Sequence, residues 1–185
     1  MSFYKKLLMF TIILAWCVLM LGAFTRLTDA GLGCPDWPGC YGHYLPDTIT
    51  KLPTLEHPLD LLKALTEMYH RYLAGTLIST IVLSFLILCF TPKIRRQIPS
   101  SVPLFLFALL GFQAALGMWT VTLKLLPTVV SGHLLGGCLI FASLVAMRTA
   151  LSEKKILADY RYPRLIGLGI LLLFCQIALG AWVSS

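Results

Sequence analysis

Five apolar runs constrain this chain more than anything else in it: Leu7 to Phe24, Tyr72 to Phe90, Val102 to Leu123, Leu125 to Met147 and Leu165 to Val183. Each is close to the ~20 residues an α-helix needs to cross the hydrocarbon core of a bilayer. No water is available there to pair backbone N–H and C=O groups, so a run of this length must satisfy them as a helix. Only 12% of the 185 residues are charged, against roughly 25% in ordinary globular chains. The expected fold class is all-α and integral to the membrane, a transmembrane four-helix bundle plus a fifth span. The first run follows Lys5 and Lys6 as a signal peptide would, but no small-x-small cleavage site precedes the stretch "TRLTDAG". A retained anchor is expected.

The net charge of +7 raises the question of nucleic acid, and its distribution answers it. Lys5, Lys6, Lys93, Arg95, Arg96, Arg148, Lys154, Lys155, Arg161 and Arg164 fall at the N-terminus and in the even-numbered connections; Arg26, Lys51, Lys63, Arg71 and Lys124 fall on the other side. This asymmetry is the positive-inside bias and places the N-terminus in the cytoplasm. The basic surplus encodes topology, and no nucleic-acid partner is expected. The proline-rich connection from about residue 25 to 66 then lies outside, while the stretches 91–101 and 148–164 turn inside.

The chain also echoes itself. "QAALGMW" at 113–119 matches "QIALGAW" at 176–182 at Gln, Ala, Leu, Gly and Trp, and "CVLMLGAF" at 17–24 matches "CQIALGAW" at 175–182 at Cys, Leu, Gly and Ala. The first and fifth spans read as equivalent openings of two repeats, a common construction in membrane folds. Chance recurrence of Leu, Gly and Ala in apolar helices is the competing explanation. On the repeat reading, residues 1–150 are a four-helix unit, and 151–185 are a cytoplasmic linker and the first span of a second unit that does not continue within these residues.

All four histidines fall on the outer half: His43 and His57 in the loop, His70 and His133 in helices. His70 and His133 sit near the outer ends of spans two and four, which run in the same direction, so they share a depth. An imidazole inside a span is costly without a partner, which makes it a functional candidate. Two at one level suit the axial positions of a haem iron in a bundle core. Gly136 and Gly137 share the face of His133, and Ala74 that of His70; such small residues leave room for a macrocycle or serve close helix packing. Glu67, one turn before His70, is either a helix-end carboxylate favoured by the dipole or a carboxylate held beside the haem edge. Arg26 and Arg71 are candidates for the haem propionates or for snorkelling to the interface.

Cys34 and Cys40 bracket "CPDWPGC" in the outer loop. In an oxidising compartment this pair reads as a disulfide or a redox couple, and a structural zinc site would need four ligands. Cys17, Cys89, Cys138 and Cys175 sit in spans as packing residues.

With "LGAFTRLTDAGLGCPDWPGCYG", "EMYHRYLAG" and "SGHLLGG" in order, the chain resembles the bacterial haem A synthase family (CtaA/Cox15). The resemblance implies an eight-helix protein of two four-helix halves that oxidises the C8 methyl of haem O to a formyl group, making haem A for terminal oxidases. It implies that Glu67 is the important acid of the N-terminal half, that His70 and His133 are that half's haem iron ligands, and that Cys34 and Cys40 are the paired loop cysteines. Haem O would be the substrate in this half, and haem b the cofactor of a second half. The isolated 185 residues would then be an incomplete oxidoreductase of the bacterial inner membrane. Haem O synthase, a thiol–disulfide protein and an electron donor are the candidate partners besides the lipid bilayer. The alternative is a b-type cytochrome, a membrane electron carrier with a bis-histidine haem and no substrate chemistry; it accounts for the histidines but not for Glu67 or the cysteines. A transporter is a weaker alternative, because no span has a broken-helix signature.

Overall fold

The computed structural model describes residues 2–51, 58–152 and 163–184. His57, Lys154, Lys155, Arg161 and the linker at 153–162 lie outside the described residues. Among the described residues seven helices follow in order: α1 (Ser2–Leu27), α2 (Pro46–Ile49), α3 (Pro58–Phe90), α4 (Pro92–Arg95), α5 (Ser101–Thr122), α6 (Pro127–Ala150) and α7 (Pro163–Ser184). Five of them, α1, α3, α5, α6 and α7, are long and apolar enough to cross a membrane. No strand occurs among the described residues; the nearest thing to one is an isolated bridge between Cys40 and His43.

α3 is longer than its apolar run. Its 33 residues make a rod of about 50 Å at ~1.5 Å per residue, against a hydrocarbon core of ~30 Å. Hydropathy placed the start at Tyr72 and the loop's end near 66, but the helix begins at Pro58. The extra turns contain Leu61, Lys63, Ala64, Glu67 and Met68, good helix formers that face protein on one side. They fall below the hydropathy signal because they cover a loop and do not face lipid.

The bundle is a four-membered ring. α1 packs against both α3 and α6, and α5 likewise touches both α6 and α3. α3 and α6 are therefore diagonal to one another, with α1 and α5 between them. α7 packs on α6 and leaves most of its apolar side chains exposed, among them Leu165, Ile170, Leu172 and Leu179. The large bundle core gathers Tyr4, Leu8, Leu77, Ile81, Leu88, Leu106, Ile140, Leu144 and Met147, all toward the end that carries the N-terminus. A second, smaller cluster of Cys34, Cys40, Ile49, Ala64 and Met68 seals the opposite end. α5 returns into α6 at this end through Lys124 and Leu125, both in the left-handed backbone region at φ 49° and 59°.

Candidate functional site

Between these two apolar clusters lies a layer of different composition. It contains His70 on α3, His133 and Gly136 on α6, Gln113 and Gly117 on α5, and Gly22 on α1. Each histidine reaches a glycine on the helix beside it. A Cβ built on Gly22 would stand 2.8 Å from His70 Nε2, and one on Gly117 would stand 3.1 Å from His133 Cε1. The two imidazoles come from diagonal helices of the bundle. Gln113 Nε2 donates to the carbonyl of His133 across the α5–α6 contact, and a Cβ on Gly136 would collide with the Gln113 amide.

Several polar atoms in this half of the molecule are buried without a hydrogen-bond partner: His133 Nδ1, Gln113 Oε1, Ser131 Oγ and Arg26 Nε. Buried polar groups are nearly always paired, so these atoms, like Tyr4 Oη and Arg148 Nε toward the other end, are open to a further partner. Two imidazoles at one level in a bundle core, with side-chain-free positions beside them, are a donor set suited to haem iron.

The cysteine loop is fastened directly above. Cys34 and Cys40 are joined by a disulfide with Cα atoms 4.8 Å apart, and both are almost fully buried. Within the loop the Asp36 carboxylate accepts the N–H groups of Tyr41 (2.6 Å) and Gly42 (2.9 Å). Tyr41 and Gly42 both have positive φ, 52° and 74°, which makes residues 40–43 a tight hairpin turn of the primed kind. Gly33 lets the loop reach α3: a Cβ there would sit 2.5 Å from the Lys63 carbonyl carbon and 2.7 Å from Ala64 N. No other residue fits against a neighbouring backbone at that separation.

Glu67 and Arg71 complete the attachment. Glu67, only 5% exposed, accepts the Cys34 N–H at 2.9 Å on Oε2 and pairs through Oε1 with Arg71 Nη2. Arg71 Nη1 in turn donates to the backbone carbonyls of Asp36 (3.0 Å), Pro38 (3.2 Å) and Gly39. One carboxylate and one guanidinium thus hold the disulfide loop on the helical turn that precedes His70. Arg71 Nη1 and Nη2 are occupied by the loop and Glu67, whereas Arg26 keeps a buried Nε without a partner. The structure therefore brings together Glu67, Arg71, Cys34 and Cys40 in one hydrogen-bonded unit, and places His70 and His133 in the layer beneath it. His43 serves the loop through its backbone, exchanging N–H and C=O with Cys40. Sequence reasoning missed Gly33, Asp36, Gln113 and the Glu67–Arg71 pair. The last had a legible signal in its spacing of four along a helix; the contacts of Gly33 and Gln113 are non-local and had none.

The sequence profile of the COX15-CtaA family, described as cytochrome oxidase assembly proteins, matches residues 5–185. Among curated proteins, the chain is 43% identical over 196 residues to the heme A synthase of Shewanella oneidensis, covering 97% of this chain and 56% of that protein. It is 29% identical to the heme A synthase of Agrobacterium fabrum, with 98% and 56% covered, and 30% identical to that of Bradyrhizobium diazoefficiens, with 91% and 53% covered. The chain spans about half the length of the curated relatives it matches. No solved structure matches it.

Proposed function

Because this chain belongs to the COX15-CtaA family, we propose that it performs haem A synthesis in the membrane, oxidising the C8 methyl group of haem O to a formyl group. The observation that carries this reading is a buried carboxylate, Glu67, fixed one helical turn from His70, with His133 on the diagonal helix of the same bundle. On this reading His70 and His133 hold the iron of the substrate haem O. Arg26, whose buried Nε lacks a partner, takes a propionate in preference to Arg71, which is engaged with the loop. Converting a methyl to an aldehyde takes one oxygen atom from water or dioxygen and passes electrons to an external acceptor, so protons leave the carbon being oxidised beside the ring. Glu67 accepts those protons in a site where apolar surroundings amplify its effect.

Residues 1–150 are the unit that binds haem O. Residues 151–185 lead into a second, repeat-related unit in which a haem b is held. An electron carrier of the b-type cytochrome class is not favoured: it would need the histidines but neither Glu67 nor a disulfide loop clamped over it. Membranes containing the complete polypeptide, supplied with haem O, are expected to yield haem A on pigment extraction. Recovery of unchanged haem O alongside bound haem b would point to the electron carrier.

The loop end faces the oxidising side of the membrane, as the distribution of Lys and Arg directs. A reporter fused after Lys51 is expected to read extracytoplasmic, and one after Arg96 cytoplasmic. The reverse pattern would put the disulfide in a reducing compartment and remove the support for it.

A further inference from the structure

The recurring Leu-Gly motif has no part in the proposed function, and the structure supplies one for two of its copies. Leu21-Gly22 on α1 and Leu116-Gly117 on α5 are copies of the same echo, on the two helices that stand between α3 and α6. In these two copies the glycine meets an imidazole, Gly22 meeting His70 and Gly117 meeting His133, whereas Gly180 in the third copy on α7 meets nothing within 4 Å. Two other glycines on these helices are open. A Cβ on Gly75 of α3 or Gly111 of α5 would have nothing within 4 Å.

We propose that Gly22 and Gly117 are imidazole seats, positioning residues that each fix the ring of one iron-ligating histidine by leaving out the side chain that would displace it. The haem part of this inference rests on the proposed function; the seating itself does not. The physical basis is close packing. A methyl group 2.8 Å from His70 Nε2 is inside van der Waals contact, and the softest thing nearby is the far end of the histidine itself, so the ring must swing. At Gly117 the approach is 3.1 Å to Cε1, so a shift of a few tenths of an ångström relieves it and the effect is smaller. His133 also has its Nδ1 buried and unpartnered, so packing against Gly117 contributes to that ring's orientation.

The test uses four single variants of the complete polypeptide in detergent: Gly22→Ala, Gly117→Ala, and the controls Gly75→Ala and Gly111→Ala. In haem-free protein, acylation of each histidine by diethyl pyrocarbonate is followed by mass spectrometry. Gly22→Ala is expected to change the rate at His70 alone, Gly117→Ala that at His133 alone, and the controls neither. Titration with protohaem is then expected to show an affinity loss of roughly tenfold to a hundredfold for Gly22→Ala and roughly twofold to tenfold for Gly117→Ala, the range that overpacking produces. The low-spin band should weaken in step and recover on addition of free imidazole. If all four variants behave alike, or haem binding weakens with both histidine rates unchanged, the seat is wrong. If the pairwise acylation pattern holds while the unsubstituted protein takes up no haem, the seats stand and the proposed function fails.

Discussion

Glu67→Gln should leave haem bound and lower haem A formation by roughly 10²–10⁴-fold, the range typical of a positioned acid–base or electrostatic group. Gln is the informative replacement because of what Glu67 touches. Its Oε2 accepts the Cys34 N–H and its Oε1 faces Arg71 Nη2. A glutamine carbonyl can keep one of these bonds and preserves the shape, so the disulfide loop stays docked through the three carbonyls that Arg71 also holds. The negative charge, and the capacity to take up a proton, are lost. Glu67→Ala would mix two effects, since removing one partner of a buried ion pair costs about 3–5 kcal/mol by itself. The check is pigment analysis of the complete polypeptide with haem O supplied, alongside its haem content. Haem A at the normal rate from the Gln variant would reduce Glu67 to an anchor for the loop.

The other large effect belongs to the histidines. His70→Ala and His133→Ala should each abolish a low-spin haem spectrum, because each would remove one of the two proposed axial ligands. The two are on diagonal helices, so neither substitution leaves a second imidazole able to take over the vacated position from the same side. The bundle itself should survive both changes: the large apolar core lies toward the opposite end and includes neither residue. Optical spectra of purified variants, with helical content measured in parallel, check this. An unchanged low-spin spectrum in both variants would remove His70 and His133 from the iron.

Much of the architecture was legible in the residue order. A run of about twenty apolar residues has one structural outcome in a bilayer: all five runs became helices, four of them within a few residues of where hydropathy put them. The exception, α3, extends fourteen residues before its apolar run, because its first turns pack on the loop and are not selected for lipid. The relative placement of Glu67 and His70 was legible too, since residues three apart share a helical face.

Sequence by itself therefore determined the number of spans, the shared level of the two histidines and the family. Those depend on local periodicity and composition, which a single chain displays in full. The tertiary structure decided which helices stand side by side, and so which glycine faces which imidazole. It also decided that Glu67 and Arg71 point into the cysteine loop, and that Gly33 lies against the backbone of α3. These contacts join residues some thirty to fifty positions apart, at Cys34 and Glu67 or Gly22 and His70. No periodicity encodes them, because they arise when close packing selects one arrangement of four apolar rods out of several that hydropathy alone permits.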